Sequence, residues 1–265
     1  MSENLRSIGI IGFGQIGSYI YDQVTTKPGL GLRIAFVYDT DPGRTRSLPS
    51  ALVLDRLEGF EARKADMICE VAHPDVTKRY GLAFLAQTDY FVLSVTALAD
   101  RDLAARLQAA AVAGSTRLFV PHGGVMGLET IIEGRETWED VTFVMKKNPA
   151  NLDFAQSGID PTTIKTATIV YDGPTGGICP KFPRNVNTHA CVALAGIGFD
   201  RTRSILIADP ALQVLVQEIR VRGGGVEFEF KLTAQMKGVT GSATLRSVLA
   251  SIVSTAVKGP GLHFC

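Results

Sequence analysis

Residues Ser7-Ile8-Gly9-Ile10-Ile11-Gly12-Phe13-Gly14-Gln15-Ile16-Gly17 run from a short apolar stretch directly into the pattern Gly-x-Gly-x-x-Gly. This order is typical of a strand, a tight turn and the start of a helix, and we predict a helix over residues 15–26. In such a turn Gly12 permits the sharp reversal, Gly14 lets a pyrophosphate approach the backbone, and Gly17 lets the helix pack against the strand. The free N–H groups at the helix start would then face the phosphates.

A second strand supports a dinucleotide site. Residues 33–38 are predicted to form this strand, which ends in Asp39, 22 residues after Gly17. An acid at this position hydrogen-bonds the ribose of NAD, whereas a nearby arginine such as Arg44 can accept the 2′-phosphate of NADP. We therefore predict NAD as the cofactor and leave NADP open. A glycine-rich turn in another kind of α/β protein is the alternative, which the order of strand, helix and acid disfavours.

Composition and charge exclude several classes of protein. The chain has 265 residues, 46% of them hydrophobic, and a net charge of +1, so it can bury a core but has no basic patch for nucleic acid or an anionic membrane. Cys69, Cys179, Cys191 and Cys265 lack the paired spacing of metal sites and are predicted to be reduced thiols. No apolar run reaches the ~18 residues of a membrane span. We expect a cytoplasmic protein that binds small molecules and no metal.

Strands alternate with helices up to residue 122, which predicts a doubly wound parallel sheet for residues 1–122. Residues 48–64 are predicted to hold an irregular piece and a helix. The carboxyl ends of parallel strands carry ligands in such sheets. Three further strand ends present Ala72-His73, Ser94 and His122-Gly123-Gly124. His73 is either a cofactor contact or a helix cap, and both interpretations stay open.

Beyond Gly124 the strands lose their interleaved helices, which predicts a smaller antiparallel α+β domain over residues 123–241 that completes a cleft. Residues 226–232 alternate strictly between apolar and polar side chains, so one face of that strand is predicted to be buried. Gln217 falls on the inner face of the partner strand. A last helix, in residues 242–265, is expected to return to the first domain.

Residues 181–189 lead into an apolar helix, and the first turn of that helix carries Asn187 and His189. A helix start attracts a substrate carboxylate, and Lys181 or Arg184 would add positive charge. The same field would keep His189 neutral, as a base requires. The alternative is that Asn185 merely caps the helix and His189 is a core residue.

Several stretches together resemble the L-aspartate dehydrogenase family over nearly the full length of the chain. They are Gly12–Gly17, Glu70–His73, Gly123–Gly127, Phe182–Asn187, Ala193–Thr202 and Ala208–Pro210. The resemblance implies a dinucleotide-binding domain, a smaller α/β domain at a homodimer interface, and a small amino-acid or imino-acid substrate. It also implies oxidation of aspartate to iminosuccinate, released as oxaloacetate and ammonia, or the reverse amination.

Two departures from the family are plain in the sequence. The family carries Asn-Val-His on the strand where this chain has Leu215-Val216-Gln217, and glutamine cannot carry a proton at neutral pH. The family's Asn-Pro-Lys-Thr-Ser becomes Lys237-Gly238-Val239-Thr240-Gly241-Ser242. We therefore assign proton transfer to His189, with Asn187 beside it. The predicted substrate-binding residues are Lys147, Lys181, Asn185, Gln217 and Thr240.

The remaining predicted site lies at the cofactor. The predicted cofactor-binding residues are Gly12, Gly14, Gln15, Ile16, Gly17, Asp39, Ala72, His73, Gly123 and Gly124. Two alternatives to an aspartate enzyme stay open: a dehydrogenase or imine reductase for another substrate, and an NAD-binding protein that has lost its redox activity.

Overall fold

The computed structural model describes residues 5–237 and 240–256, in which the chain forms two β-sheets flanked by helices. The first sheet is parallel, with the order β2-β1-β3-β4-β5. Its strands are β1 (Arg6–Ile11), β2 (Leu32–Tyr38), β3 (Met67–Glu70), β4 (Asp89–Val92) and β5 (Leu118–Phe119). Its helices are α1 (Gln15–Thr26), α2 (Pro42–Thr45), α3 (Pro74–Leu85) and α4 (Arg101–Gly114). The predicted doubly wound parallel sheet is confirmed.

One predicted helix of this region is wrong. Residues 48–64 form two short 3₁₀ turns, Ser50–Leu52 and Leu57–Arg63, instead of an α-helix. Gly59 leaves helical angles at φ −126° and breaks the second turn. The Arg63 guanidinium donates to the Val53 carbonyl oxygen at 2.8 Å and holds the loop compact without a helix.

The second sheet is mixed and has the order β11-β10-β9-β6-β8-β7. Its strands are β6 (Trp138–Lys147), β7 (Thr168–Pro174), β8 (Arg203–Ala208), β9 (Val214–Gly223), β10 (Val226–Lys237) and β11 (Thr240–Gly241). The helices in the same region are α5 (Leu128–Glu133), α6 (Thr175–Ile178) and α7 (Asn187–Ala195). The prediction of a purely antiparallel sheet is wrong, because β6 and β8 pair in parallel. The long connection between them holds two helices, as a parallel crossover requires.

The inner face of the second sheet is covered by α7. Phe143 and Met145 on β6 alternate inward and are buried, as the two-residue period of a strand requires. The helix itself is buried along most of its length, from Thr188 to Ala193. It begins at Asn187, so the polar residues Asn187, Thr188 and His189 occupy its first turn.

The last helix, α8 (Ser242–Ser254), packs against the first sheet's outer layer. Val248 and Ile252 are fully buried in one apolar cluster with Ile20 and Val24 of α1. The end of the chain's described part therefore lies beside the beginning.

Two hydrogen bonds join the first sheet to the start of α7. Thr96, in a 3₁₀ turn that follows β4, donates its N–H to Asn187 Oδ1 at 3.2 Å and its hydroxyl to the Pro183 carbonyl oxygen at 2.8 Å. These bonds fix the α7 start opposite the carboxyl ends of the parallel strands.

Candidate active site

A cavity of about 740 Å³ lies between the carboxyl edge of the first sheet and the inner face of the second. This volume suits a cofactor with a small ligand. Of the predicted cofactor-binding residues, the cavity is lined by Gly12, Gly14, Gln15, Ile16, Asp39, Ala72, His73 and Gly123. Of the predicted catalytic and substrate-binding residues, it is lined by Lys147, Asn185, Asn187 and Gln217. The structure thus brings together residues that lie far apart in sequence.

The glycine turn fits a dinucleotide. Gly12 has a φ of +98°, and a Cβ there would lie 2.8 Å from the Ala72 Cβ. A Cβ at Gly17 would lie 1.9 Å from the Gly12 carbonyl oxygen, so helix and strand touch through backbone. At Gly14 a Cβ would lie 3.5 Å from the Arg44 guanidinium, an ordinary contact, and this residue caps α1 without any side-chain hydrogen bond. The turn therefore leaves room and free N–H groups for a pyrophosphate.

Asp39 organises the turn as well as the ribose position. Its Oδ2 accepts from the Phe13 N–H at 2.6 Å, and its Oδ1 accepts from the Asp41 N–H at 2.9 Å. The Arg44 guanidinium lies 3.8 Å from Asp39 Oδ2 and also lines the cavity. An acid and an arginine thus stand side by side where the adenosine ribose would lie.

A buried carboxylate ties two strand ends together beside the cavity. Glu70 is fully buried; its Oε1 accepts from the Ala72 N–H and the Ser94 hydroxyl, both at 2.8 Å. Its Oε2 accepts from the Ser94 N–H at 3.0 Å. Burial raises the Glu70 pKa, against which these hydrogen bonds act. The arrangement holds the backbone of Ala72 in place at the cavity wall.

His73 and Gly124, both predicted to contact the cofactor, form hydrogen bonds with other parts of the protein. His73 Nδ1 accepts from the Asp75 N–H at 3.3 Å, so this histidine caps α3 while it also lines the cavity. Gly124 faces α8: its N–H donates to Ser247 Oγ at 3.1 Å, and a Cβ there would lie 2.9 Å from the Thr244 hydroxyl. Gly124 does not line the cavity, although Thr244 does.

The opposite wall consists of side chains on the inner face of the second sheet. Met145 on β6 pairs with Gln217 on β9, and both line the cavity with Leu215 and Lys147. Gln217 and Lys147 are each only 4% exposed. Burial lowers the Lys147 pKa from 10.5 to about 8. A buried side-chain amine therefore faces the cavity, and no carboxylate in the described part of the chain forms an ion pair with it.

His189 lies beneath this wall. It is 0% exposed, its ring lies 4.3 Å from the Phe143 ring, and its Nδ1 lies 2.9 Å from Ser204 Oγ. Burial, and secondarily the charge of Lys147, lowers the His189 pKa from 6.5 to about 3. Among the described residues Nε2 has no hydrogen-bond partner. His189 itself does not line the cavity, although its neighbour Thr188 does.

The other predicted substrate residues divide into three cases. Asn185 reaches the cavity, but its amide is used by a loop: Oδ1 accepts from the Asp153 N–H at 2.8 Å and Nδ2 donates to the Asn151 carbonyl at 3.1 Å. Lys181 is exposed and does not line the cavity. The Thr240 side chain lies outside the described part of the structure.

Sequence reasoning missed Thr188 and Met145. Thr188 lines the cavity, and its buried hydroxyl has no partner among the described residues, so it is available to a ligand. Thr188 could have been found from its place beside Asn187 in a first helical turn. Met145 had no sequence signal, because its position depends on the pairing of β6 with β9.

Among residues 5–237 and 240–256, no three His, Cys, Asp or Glu side chains group as metal ligands. None of the helices that the structure describes is both long and apolar enough to cross a membrane.

Known protein families match the two parts of the chain. Residues 12–121 match the family described as homoserine dehydrogenase, NAD binding domain, and residues 131–255 match aspartate dehydrogenase, C-terminal. The NAD-binding match includes the glycine turn and the strand ends that line the cavity. It therefore supports a nicotinamide cofactor at this wall.

Individual proteins match over nearly their whole length. An aspartate dehydrogenase domain-containing protein of Xenopus tropicalis is 34% identical, with 100% of both chains covered. L-aspartate dehydrogenase 2 of Bordetella bronchiseptica is 32% identical, with 92% of this chain and 95% of that protein covered. The crystal structure of aspartate dehydrogenase from Thermotoga maritima has the same fold, with a TM-score of 0.73, 24% identity and 94% of each chain covered.

Proposed function

Because the chain belongs to the aspartate dehydrogenase family, we propose that it oxidises the CH–NH₂ group of L-aspartate or a related amino acid with NAD(P), reversibly through the imino acid. One observation carries the proposal: a single cavity has a dinucleotide turn on one wall and a buried amine beside amide side chains on the other. Hydride transfer requires this juxtaposition of cofactor and substrate.

The side of the cavity formed by Gly12, Gly14, Asp39 and Ala72 is called the cofactor wall. This wall is proposed to bind the pyrophosphate at Gly14 and the α1 start, and the adenosine ribose at Asp39. When bound, the nicotinamide supplies an acceptor for the hydride that leaves the substrate Cα. The acid favours NAD, and the adjacent Arg44 gives a 2′-phosphate a partner, so both cofactors are proposed to bind.

The opposite side of the cavity, formed by the inner face of the second sheet and the start of α7, is called the substrate wall. This wall is proposed to bind carboxylates at the α7 start. The amide of Asn187 and the free hydroxyl of Thr188 lie there, and Arg184 lines the cavity with a half-exposed guanidinium. A helix start and an arginine together attract a dicarboxylate. We propose that these groups place the Cα of the amino acid against the cofactor wall.

The experiment is an assay of NADH and NADPH formation from L-aspartate and a panel of other amino acids, at neutral and alkaline pH. The reverse reaction is measured with the corresponding oxoacids and ammonia. L-aspartate is expected to give the highest kcat/KM. If no compound of the panel turns over in either direction, the proposal is wrong.

A second candidate is a binding protein that has lost redox activity, and Gln217 favours it because the family's histidine is missing at that position. Isothermal titration calorimetry with NADH separates the two candidates. Tight NADH binding without turnover in the whole panel supports the second candidate, whereas turnover excludes it.

We also propose a homodimer formed through the outer face of the second sheet. On that face Ile169 pairs with Ile207, and Ile169 is 59% exposed. A partner covering this side would bury such residues. Light scattering coupled to size exclusion measures the mass, and an Ile169→Glu variant is expected to shift it towards the monomer.

The cytoplasm is the proposed compartment. Cys69, Cys179 and Cys191 are buried free thiols, as in proteins of a reducing compartment. Cell fractionation with an antibody tests the compartment.

A further inference from the structure

The proposed reaction, on which this inference rests, needs a proton acceptor beside the substrate amine. The amino group enters as an ammonium ion, and it must lose a proton before its lone pair can form the C=N bond. Gln217 occupies the strand position of the family's histidine but cannot accept that proton at neutral pH. His189 is fully buried and outside the cavity lining. The acceptor must therefore be another group.

Among the described residues that line the cavity, five have titratable side chains, and four of these are committed elsewhere. They are Asp39, Arg44, His73, Lys147 and Arg184. An arginine guanidinium donates hydrogen bonds but has no acceptor site for a proton. Asp39 already accepts from two backbone N–H groups at the cofactor turn, and His73 accepts from the α3 backbone through Nδ1. Lys147 alone remains on the substrate wall.

Lys147 is built into that wall by the strand register. It is the last residue of β6 on the face that carries Phe143 and Met145, and its neighbour on β8 is Ala208. The next inward residue on this face, Met145, pairs with Gln217. Lys147 and Gln217 thus stand on adjacent strands of one cavity wall, opposite the cofactor turn.

We propose that the side-chain amine of Lys147 is the catalytic base that accepts the proton of the substrate ammonium group, while Gln217 contacts the substrate by hydrogen bonds only. This assignment replaces the carboxylate-binding role that the sequence predicts for Lys147. It also explains how a chain without the family's histidine keeps a working site.

The surroundings of Lys147 keep part of it neutral. Burial lowers the Lys147 pKa to about 8, so roughly a tenth of the side chain is a free amine at pH 7. On the opposite face of β6, Lys146 lies 3.2 Å from Glu218, and this pair is on the outer side of the sheet. On the α7 side, His189 is neutral because burial lowers its pKa to about 3.

The remaining charged neighbour of Lys147 is Asp209, which directly follows β8. Asp209 donates its N–H to the Lys147 carbonyl oxygen at 2.8 Å, but its Oδ1 accepts from the Ala211 N–H at 2.9 Å. The Asp209 carboxylate is thus hydrogen-bonded within the turn that contains Asp209. In the described part of the chain no ion pair holds Lys147 in its charged form.

The proton and electron balance is simple. Neutral Lys147 takes one proton from the substrate ammonium group and becomes an ammonium ion. The nitrogen lone pair then forms the C=N bond while the Cα–H bond breaks, and the hydrogen leaves with its electron pair as a hydride, which a bound nicotinamide would accept. Lys147 returns its proton to solvent, and water hydrolyses the imino acid to the oxoacid and ammonia.

The first test is Lys147→Arg, with Lys146→Arg as the matched control on the opposite face. Arginine keeps the charge but cannot act as a base. We expect kcat to fall by about 100-fold or more and the rise of kcat/KM near pH 8 to disappear. We also expect calorimetry to give succinate binding, in the presence of NADH, within about threefold of the wild type. The control should keep wild-type values.

A second variant, Lys147→Ala, tests the proposal if an arginine does not fit in the place of Lys147. Lys147→Ala leaves space for an added alkylamine, and ethylamine is expected to restore activity in proportion to its uncharged form. Rescue that follows the ethylammonium concentration, or no rescue in a variant that still binds NADH, contradicts the proposal. So does a Lys147→Arg enzyme that keeps the wild-type kcat and pH profile, or one that loses succinate binding in step with activity. A wild-type protein without any turnover instead overturns the proposed function itself.

Discussion

The two walls of the cavity are built in different ways. The cofactor wall consists largely of backbone: a tight turn at Gly12, a helix start at Gly14, and the strand end at Ala72. The substrate wall consists of side chains such as Lys147 and Gln217, which project from strands paired over long stretches of sequence. A backbone wall tolerates few changes of shape, whereas a side-chain wall can change its chemistry one residue at a time.

This difference explains where the chain departs from its family. The glycine turn keeps the full pattern, and a Cβ would lie 2.9 Å from the Val71 carbonyl oxygen at Gly12 and 1.9 Å from the Gly12 carbonyl oxygen at Gly17. By its resemblance to the family, the chain has Gln217 on the substrate wall where a histidine is expected, on a sheet formed by the pairing of β6 with β9. The comparison predicts large effects for shape changes at the first wall and graded, chemically specific effects at the second.

Gly17→Ala is expected to have the largest effect. The added Cβ would lie 1.9 Å from the Gly12 carbonyl oxygen, so backbone must move at the pyrophosphate position. NADH affinity in a fluorescence titration should fall by about 100-fold or more, with a lower melting temperature. Gly29→Ala is the control, since a Cβ there meets nothing within 4 Å. Unchanged NADH affinity in Gly17→Ala would show that the turn does not hold the cofactor.

His189→Gln is expected to change stability rather than the pH profile of activity. The folded-state pKa of about 3 lies below the ordinary 6.5, so the unfolded chain binds the extra proton first. The wild type should therefore lose up to about 1.4 kcal/mol of stability per pH unit as the pH falls from about 6.5 towards 3. The variant should lose less, as measured by urea unfolding at several pH values. If the rise of kcat/KM near pH 8 disappears in this variant, the catalytic base is His189 and not Lys147.

Arg184→Ala and Lys181→Ala separate a cavity residue from a surface residue three positions away. Arg184 lines the cavity, whereas Lys181 is exposed outside it. We expect the KM for L-aspartate to rise about tenfold in Arg184→Ala and to stay at the wild-type value in Lys181→Ala. Steady-state kinetics at saturating cofactor measures both. An equal rise in the two variants would mean that only general surface charge attracts the substrate.

Arg44→Ala is expected to have the smallest effect. The guanidinium is half-exposed beside Asp39, so its bond to a 2′-phosphate is screened by water. The KM for NADP should rise about fivefold, while the KM for NAD stays unchanged. A rise for both cofactors would place Arg44 at the pyrophosphate instead of the ribose.

Most of the cofactor wall could be predicted from the sequence. Gly12, Gly14 and Asp39 follow one another at spacings fixed by a strand, a turn and a helix, so local pattern is enough. Gly124 shows the limit of that reasoning. It has the composition of a ligand loop, yet it faces α8, whose approach depends on the packing of a helix more than 100 residues later.

The substrate wall could be predicted only in part. The alternation of β9 placed Gln217 on the inner face, because the two-residue period is local. Which residue stands next to it depends on the register between β6 and β9, and no local pattern encodes that register. His189 shares this limit: its place in the first turn of α7 was readable, but its burial over Phe143 was not.

The bonds from Thr96 to the start of α7 have a consequence for how ligands enter. Both bonds connect the first sheet to the start of α7, so the two sheets cannot swing apart at Thr96 without breaking both bonds. Arg44 and Arg184 both line the cavity and are half-exposed, so we expect ligands to enter and leave past these arginines. Crystals grown without ligand should accordingly accept cofactor and dicarboxylate by soaking, with an intact lattice and no change in cell dimensions.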